Sequence, residues 1–186
     1  MTGPGATRIG ASVERLTEFR GTDLHDLCEA ADDAIRAGGG FGWLAPPPRN
    51  IMDSYWRGVL LVPDRTLFVG RLDGAIAGSA QLVRPPRNNE AQGHAAQLTT
   101  SFVAPWARGH GLARAIVLAV EDAARAAGFA VLNLDVRETQ EAAIQLYHSL
   151  GYRQWGTHPL YARVDGKPVA GLCFYKELGP SGGVAP

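Results

Sequence analysis

Apolar residues recur along this chain at two spacings, and stretches of each kind alternate. Leu24, Leu27, Ala31 and Ile35 fall three or four residues apart, which places them on one stripe of a helix. Thr22 stands where a hydroxyl can cap the first-turn amides, and Gly38-Gly39-Gly40 predicts the stop. Ahead of it, the segment from Ile9 to Leu16 carries β-branched residues and reads as a strand. The stretch from Phe41 to Asn50 holds three consecutive prolines, Pro46 to Pro48, which remove backbone donors and favour an extended loop beside the site. Met52 to Leu60 then resumes a short helix.

Further along, Thr66 to Arg71 and Ala75 to Val83 are apolar runs joined by Leu72-Asp73-Gly74, and Asp-Gly between such runs predicts an antiparallel hairpin. After the polar connection Pro85 to Glu90, Ala95 to Val103 reads as a third strand. Leu112, Ile116, Val117, Val120 and Ala124 share a helical stripe that Gly128 ends. Val131 to Val136 is a short strand, and Thr139 to Leu150 a helix with Ala143, Leu146, Tyr147 and Leu150 on one face. Tyr152 to Trp155 and Leu172 to Tyr175 close the pattern as strands. The expected organisation is one domain over residues 1–178 with a frayed tail over 179–186.

Composition narrows the classes. Hydrophobic residues make up 46% of the 186 and charged residues 19%, enough for a sizeable core. Lys plus Arg and Asp plus Glu both number 18, so no charge excess draws the chain to nucleic acid or an anionic membrane. Met1 to Ala6 has no basic run followed by an apolar one, and Ala113 to Val120 falls short of a membrane span. The expectation is a soluble cytoplasmic protein. Cys28 and Cys173 lie in apolar stretches without CxxC spacing and read as reduced, buried thiols.

The chemistry concentrates between the third strand and the helix after it, in Arg108-Gly109-His110-Gly111-Leu112-Ala113. First-turn amides of a helix lack internal partners and carry the positive end of its dipole, so they can grip a phosphate. Gly109 and Gly111 let backbone approach, Arg108 adds a fixed cation, and small Ala113 avoids a clash. The same glycines also suit a plain tight turn. A P-loop lacks its GxxxxGK[ST] here, and the preceding strands are not part of a βαβ unit, which disfavours a dinucleotide fold.

These residues resemble the GNAT acetyltransferase superfamily, whose acyl-CoA loop reads Arg or Gln, any two, Gly, any one, Gly or Ala. Arg108, Gly111 and Ala113 fit it. The likeness continues through Val103 and Pro105, and through Leu134 to Tyr152, which looks like the superfamily's second cofactor segment. It implies an α+β fold with a central, mostly antiparallel twisted sheet, a splayed strand pair and flanking helices. It implies acetyl-CoA as cosubstrate, held by Phe102, Val103, Arg108, Gly109, His110, Gly111, Leu112, Ala113, Gln140, Ala143 and Tyr147. The pantetheine arm would pair like an added strand with the Phe102 and Val103 backbone. The superfamily's usual Asn at the head of the second segment is Gln140 here. The N-terminal half and the tail look more like small-molecule amine acetyltransferases of the tabtoxin-resistance kind than like histone enzymes.

Acetyl transfer needs an unprotonated amine, an oriented thioester and a proton for the leaving thiolate. The resemblance puts Tyr147 near the sulfur as general acid; by its place on the stripe alone it is a core aromatic. A strand carboxylate used by many relatives falls at Gln97, which cannot serve as a base. Asp135 is the carboxylate candidate, with Glu138 and Glu90 behind it. His25, His94, His148 and His158 lack metal-ligand spacing, so no metal is expected. Trp43, Trp56 and Trp106 suit either an acceptor pocket or packing. The leading reading is transfer to a small-molecule primary amine; a protein or peptide acceptor and a noncatalytic acyl-CoA sensor are the alternatives. Dimerisation is common in relatives, and the sequence does not decide it.

Overall fold

A computed structural model describes residues 10–39 and 42–179; the leading residues from Met1 to Ile9, the start of the Pro-rich loop at Phe41, and residues 180–186 of the expected tail lie outside the described residues. Strands β1 (Ala11–Leu16), β2 (Arg65–Leu72), β3 (Ala75–Val83), β4 (Ala95–Val103), β5 (Val131–Arg137), β6 (Arg153–Val164) and β7 (Lys167–Glu177) form one seven-stranded sheet in the order β1-β2-β3-β4-β5-β7-β6. Every neighbouring pair is antiparallel except β4 with β5. Helices α1 (Asp23–Arg36) and α2 (Arg49–Leu61) precede β2, α3 (Leu112–Ala126) links β4 to β5, and α4 (Glu141–Ser149) follows β5.

The helical stripes sort the helices between the two faces. Leu112, Ile116, Val117 and Val120 of α3 join Leu82, Leu98, Leu132, Leu134 and Tyr147 in one core. Leu27, Ala31 and Ile35 of α1 join Met52, Trp56 and Val59 of α2 over Leu67, Val69, Ile76 and Phe102 in the other. Because side chains alternate along a strand, Leu132 and Leu134 of β5 are buried on the α3 side while Asp135 is exposed. Within the first core Glu121 is fully buried, its charge met by Lys176 at 2.6 Å and Arg125 at 3.0 Å.

Local chemistry accounts for the turns. Asp73 and Gly74 both take positive φ, 50° and 91°, the backbone of the tight hairpin turn whose twist matches its strands. Pro48 sits at the N-cap of α2, so that helix begins at Arg49, three residues earlier than the periodicity predicts. Thr22 occupies the N-cap of α1 but does not cap it: its hydroxyl donates to Asp26 at 3.1 Å. The carboxylate of Asp23 instead accepts from the Arg20 amide, at 3.0 Å. The closing strands are far longer than the two short runs the sequence suggests. They form the β6–β7 hairpin, turned at Asp165-Gly166 with φ of 50° and 77°.

Candidate active site

The site begins with a failure of pairing. β4 and β5 are joined only from Ala95–Val131 to Gln97–Asn133, and their ladder ends there. β4 departs because of a bulge: Thr99 pairs with Gln81 and Phe102 with Ser79, so Thr100 and Ser101 together oppose Ala80. Thr100 takes φ of 54°, an uncommon value for a β-branched residue, and the inserted residue bends the strand. β5 stays paired with β7 throughout. The two parallel strands therefore part as they approach Val103 and Arg137.

At the far end of β4 the chain turns through Pro105–Ala107 and Arg108 into α3. Gly109 and Gly111 take φ of 82° and 73°, a left-handed conformation that costs other residues strain. A Cβ at either would meet no neighbour, so it is the backbone conformation that requires glycine there. Gly111 is the N-cap of α3; no side chain caps the helix, and its first turn holds no acidic residue. Leu112 is buried and pins this turn to the core, Ala113 is half-buried, and Arg108, Gly109, His110 and Gly111 are exposed. His110 Nδ1 lies 3.3 Å from the Ala107 carbonyl. Arg114 of this turn donates to Ser149 of α4 at 3.1 Å, tying the two helices together beside the gap. A helix start with bare amides, an exposed guanidinium and no carboxylate suits a diphosphate.

Phe102, buried, and Val103, half-buried, form the β4 side of the gap, while Ala143 and Tyr147 of α4 pack on the core beneath β5. Tyr147 is 5% exposed, with its ring edge-on to Tyr152 at 5.6 Å. Burial raises its phenol above the ordinary tyrosine value; a hydrogen bond with Ser101, at the bulge, offsets this in part, and the charge of Asp135 adds to it. The phenol is thus a protonated group touching the bulge of β4. Asp135 lies on the opposite sheet face, accepting from Gln97 Nε2 at 3.3 Å and from the Tyr161 hydroxyl. It stands beside the position where the sequence puts Gln97 in place of a carboxylate. Glu138 is engaged by the Ala170 amide at 3.1 Å.

Several expectations change on contact with the fold. Gln140 has a partner within the chain: its amide donates to the Gly38 carbonyl at 2.8 Å and ties the start of α4 to the turn after α1. Trp56 is a core residue, Trp43 packs edge-on against Tyr55, and Trp106 is half exposed in the turn before α3. The indole that borders a groove is Trp155, next to the stretch where β4 and β5 are still paired. It lines a groove of about 740 Å³ together with Val62, Pro85, His94, Gln97 and Asn133. Of the two thiols, both free, Cys28 is buried and Cys173 is half-buried, not fully buried as its apolar surroundings suggest. Ser101 and Tyr161 are functional candidates the sequence did not offer. A Ser after Thr-Thr in a strand carries no signal, whereas the Asp165-Gly166 turn would have located the hairpin that delivers Tyr161.

An open seam between parallel strands, with an uncapped helix start at one end and a buried phenol on its flank, fits an enzyme that transfers an acyl group from a long phosphorylated carrier. The chain belongs to the acetyltransferase (GNAT) family, whose model matches residues 25–152. It is 74% identical over 129 residues, 69% of the chain and 77% of the relative, to an uncharacterized N-acetyltransferase encoded in the hisH-hisA intergenic region of Azospirillum brasilense. Its fold is similar to an N-acetyltransferase of Staphylococcus aureus (TM-score 0.76, 18% identity, 91% of this chain and 99% of that one). It is also similar to yncA of Salmonella typhimurium, a putative acetyltransferase solved with its cofactor acetyl-CoA (TM-score 0.73, 18% identity, 95% and 98%). The mixed α+β fold is that of the family, and the protein is an acetyl-CoA-dependent N-acetyltransferase. No helix among the described residues is long and apolar enough to cross a membrane.

Proposed function

We propose that this enzyme moves the acetyl group of acetyl-CoA directly onto a primary amine of a small molecule. The observation that carries the reading is the parting of β4 and β5 beyond Gln97–Asn133, with the bare start of α3 at its end. In this reading the amides of Leu112 and Ala113, with Arg108, Gly109, His110 and Gly111, hold the diphosphate. The Phe102 and Val103 backbone pairs with the pantetheine amides, and Ala143 and Tyr147 line the thioester end; Gln140 acts from α4 by fixing its start.

Tyr147 is the general acid. The amine nitrogen attacks the acetyl carbon, the carbon–sulfur bond breaks, and Tyr147, which burial keeps protonated, gives its proton to the departing thiolate as charge develops on sulfur. Asp135 faces the acceptor side and takes the proton the amine sheds, directly or through water. Support for a small acceptor comes from the groove of about 740 Å³ beginning at Gln97 and Asn133, a volume in the ordinary range for small-molecule sites, and from the resemblance to tabtoxin-resistance enzymes.

The test is thiol release from acetyl-CoA across a panel of small amines, peptides and protein N-termini. Small primary amines should be the good acceptors, and Tyr147→Phe should lower kcat by about 100-fold or more with the best of them. Unchanged kcat would remove Tyr147 from the acid role. Preference for peptides would refute the small-molecule assignment, and tight acetyl-CoA binding without transfer to anything would mean a sensor.

A further inference from the structure

On the sheet face opposite α3 and α4, three strands deliver one side chain each to a single point. Gln97 of β4 donates to one carboxylate oxygen of Asp135 on β5, and Tyr161 of β6 donates its hydroxyl to the other. Tyr161 reaches that point through an irregularity in the edge strand. His158 pairs with Gly171 and Ala162 with Val169, so Pro159, Leu160 and Tyr161 together oppose Ala170 alone. Extra residues on one strand bend it, and here the bend carries the ring inward over β7. Gly171 permits this: a Cβ there would overlap the Tyr161 ring. The bulge, the glycine beneath it and the hydrogen bond at its tip serve one placement.

Donor and acceptor accounting then gives the placement a use. Asp135 accepts one hydrogen bond at each oxygen and, as a carboxylate, has further lone pairs. Tyr161 has spent its only proton and keeps an oxygen that accepts. The amide of Gln97 has given an N–H, and its Oε1 still accepts. An exposed carboxylate with two further acceptor oxygens beside it, three acceptor groups in all, matches a group with three N–H donors and a positive charge, a primary ammonium. The groove lined by Gln97, Asn133, His94 and Trp155 shares Gln97 with this cluster and has room for the rest of such a molecule.

We propose that Tyr161 is a positioning residue for the acceptor: with Gln97 it fixes Asp135 so that carboxylate, phenol oxygen and amide oxygen together receive a primary ammonium, which gives one proton to Asp135 or water before its nitrogen attacks. The inference rests on the amine-acetyltransferase reading above. It assigns Tyr161 no proton transfer to coenzyme A, which stays with Tyr147 on the other face.

The experiment compares wild type with Tyr161→Phe, which keeps the ring over Gly171 and removes the hydroxyl, and with Gly171→Ala, which removes no polar group but displaces the ring. Both should raise KM for a primary amine about tenfold, the worth of one hydrogen bond to a charged group, while acetyl-CoA affinity and kcat at saturating amine change little. In a Tyr161→Ala background, Gly171→Ala should add no further rise, because the two substitutions break the same placement. A readout independent of turnover follows the Tyr161 phenol by NMR of ring-labelled protein. Asp135, Arg137 and Cys173 face it, and Asp135→Asn should lower its titration. Acetylation by the wild type with an unchanged amine KM in Tyr161→Phe, or a Tyr161 titration unmoved by Asp135→Asn, overturns the positioning role and leaves the transferase reading intact. Absence of turnover with every amine overturns both.

Discussion

Gly111→Ala isolates the claim that backbone amides at the start of α3 grip the diphosphate. Gly111 sits at φ of 73° with nothing within 4 Å of an added Cβ, so the substitution brings no clash, only left-handed strain of roughly 1–2 kcal/mol. Gly128, just past the other end of the same helix, has φ of 85° and equally open space, which makes Gly128→Ala a matched control. Both variants should lose stability by that amount, lowering Tm by about 2–8 °C in a chain of this size. They should part company in binding. If relief of strain turns one first-turn amide away from the diphosphate, a charge-assisted hydrogen bond of about 1.5–3 kcal/mol is lost, and the Kd for acetyl-CoA rises about 10- to 100-fold. Gly128→Ala should bind as wild type. Calorimetric titration of both proteins, with thermal melts on the same preparations, reads the two effects separately. Equal stability losses with wild-type affinity in Gly111→Ala would refute the reasoning, since the loop would then be a turn and nothing more.

Two further outcomes follow from burial. Burial raises the phenols of Tyr147 and Tyr152 above the ordinary value of 10, so the folded protein holds protons that the unfolded chain releases; their stabilising effect is complete below pH 10 and is lost as pH rises above it. Tm measured from pH 8 to 11.5 should therefore fall at the alkaline end, and Tyr147→Phe should flatten the slope. Burial and a hydrogen bond to Asp53 at 3.2 Å push the Cys28 thiol up to about 12, so at pH 8 it is almost wholly protonated and shielded. Iodoacetamide followed by peptide mass mapping should leave Cys28 unmodified in the native protein and modify it readily in denaturant; rapid native labelling would contradict that burial.

How legible the site was depended on the range of the interactions involved. The turn into α3 could be read directly because Arg108 through Ala113 are contiguous and their backbone demands a particular residue type at Gly109 and Gly111. Tyr147 could be put on the buried stripe of its helix because that stripe repeats within a few residues, and the fold buries it. Gln140 was less legible for the opposite reason: its side chain donates to the Gly38 carbonyl, 102 positions away in the chain, a contact that helical spacing does not encode. The tryptophans left the choice between pocket and packing open, since aromatic type says nothing of whether Trp56 fills a core or Trp155 borders a groove.

Period and punctuation in the chain alone determined the helices, the Asp73-Gly74 hairpin and the anion-ready helix start, because each is governed by neighbours within a few residues. Only the tertiary structure decided where β4 leaves β5, which face Asp135 takes, and that Gln97 and Tyr161 close on it. Those features depend on strand register and on one- and two-residue bulges, where a shift of a single position turns a side chain to the other face, and no local pattern in the sequence carries that information.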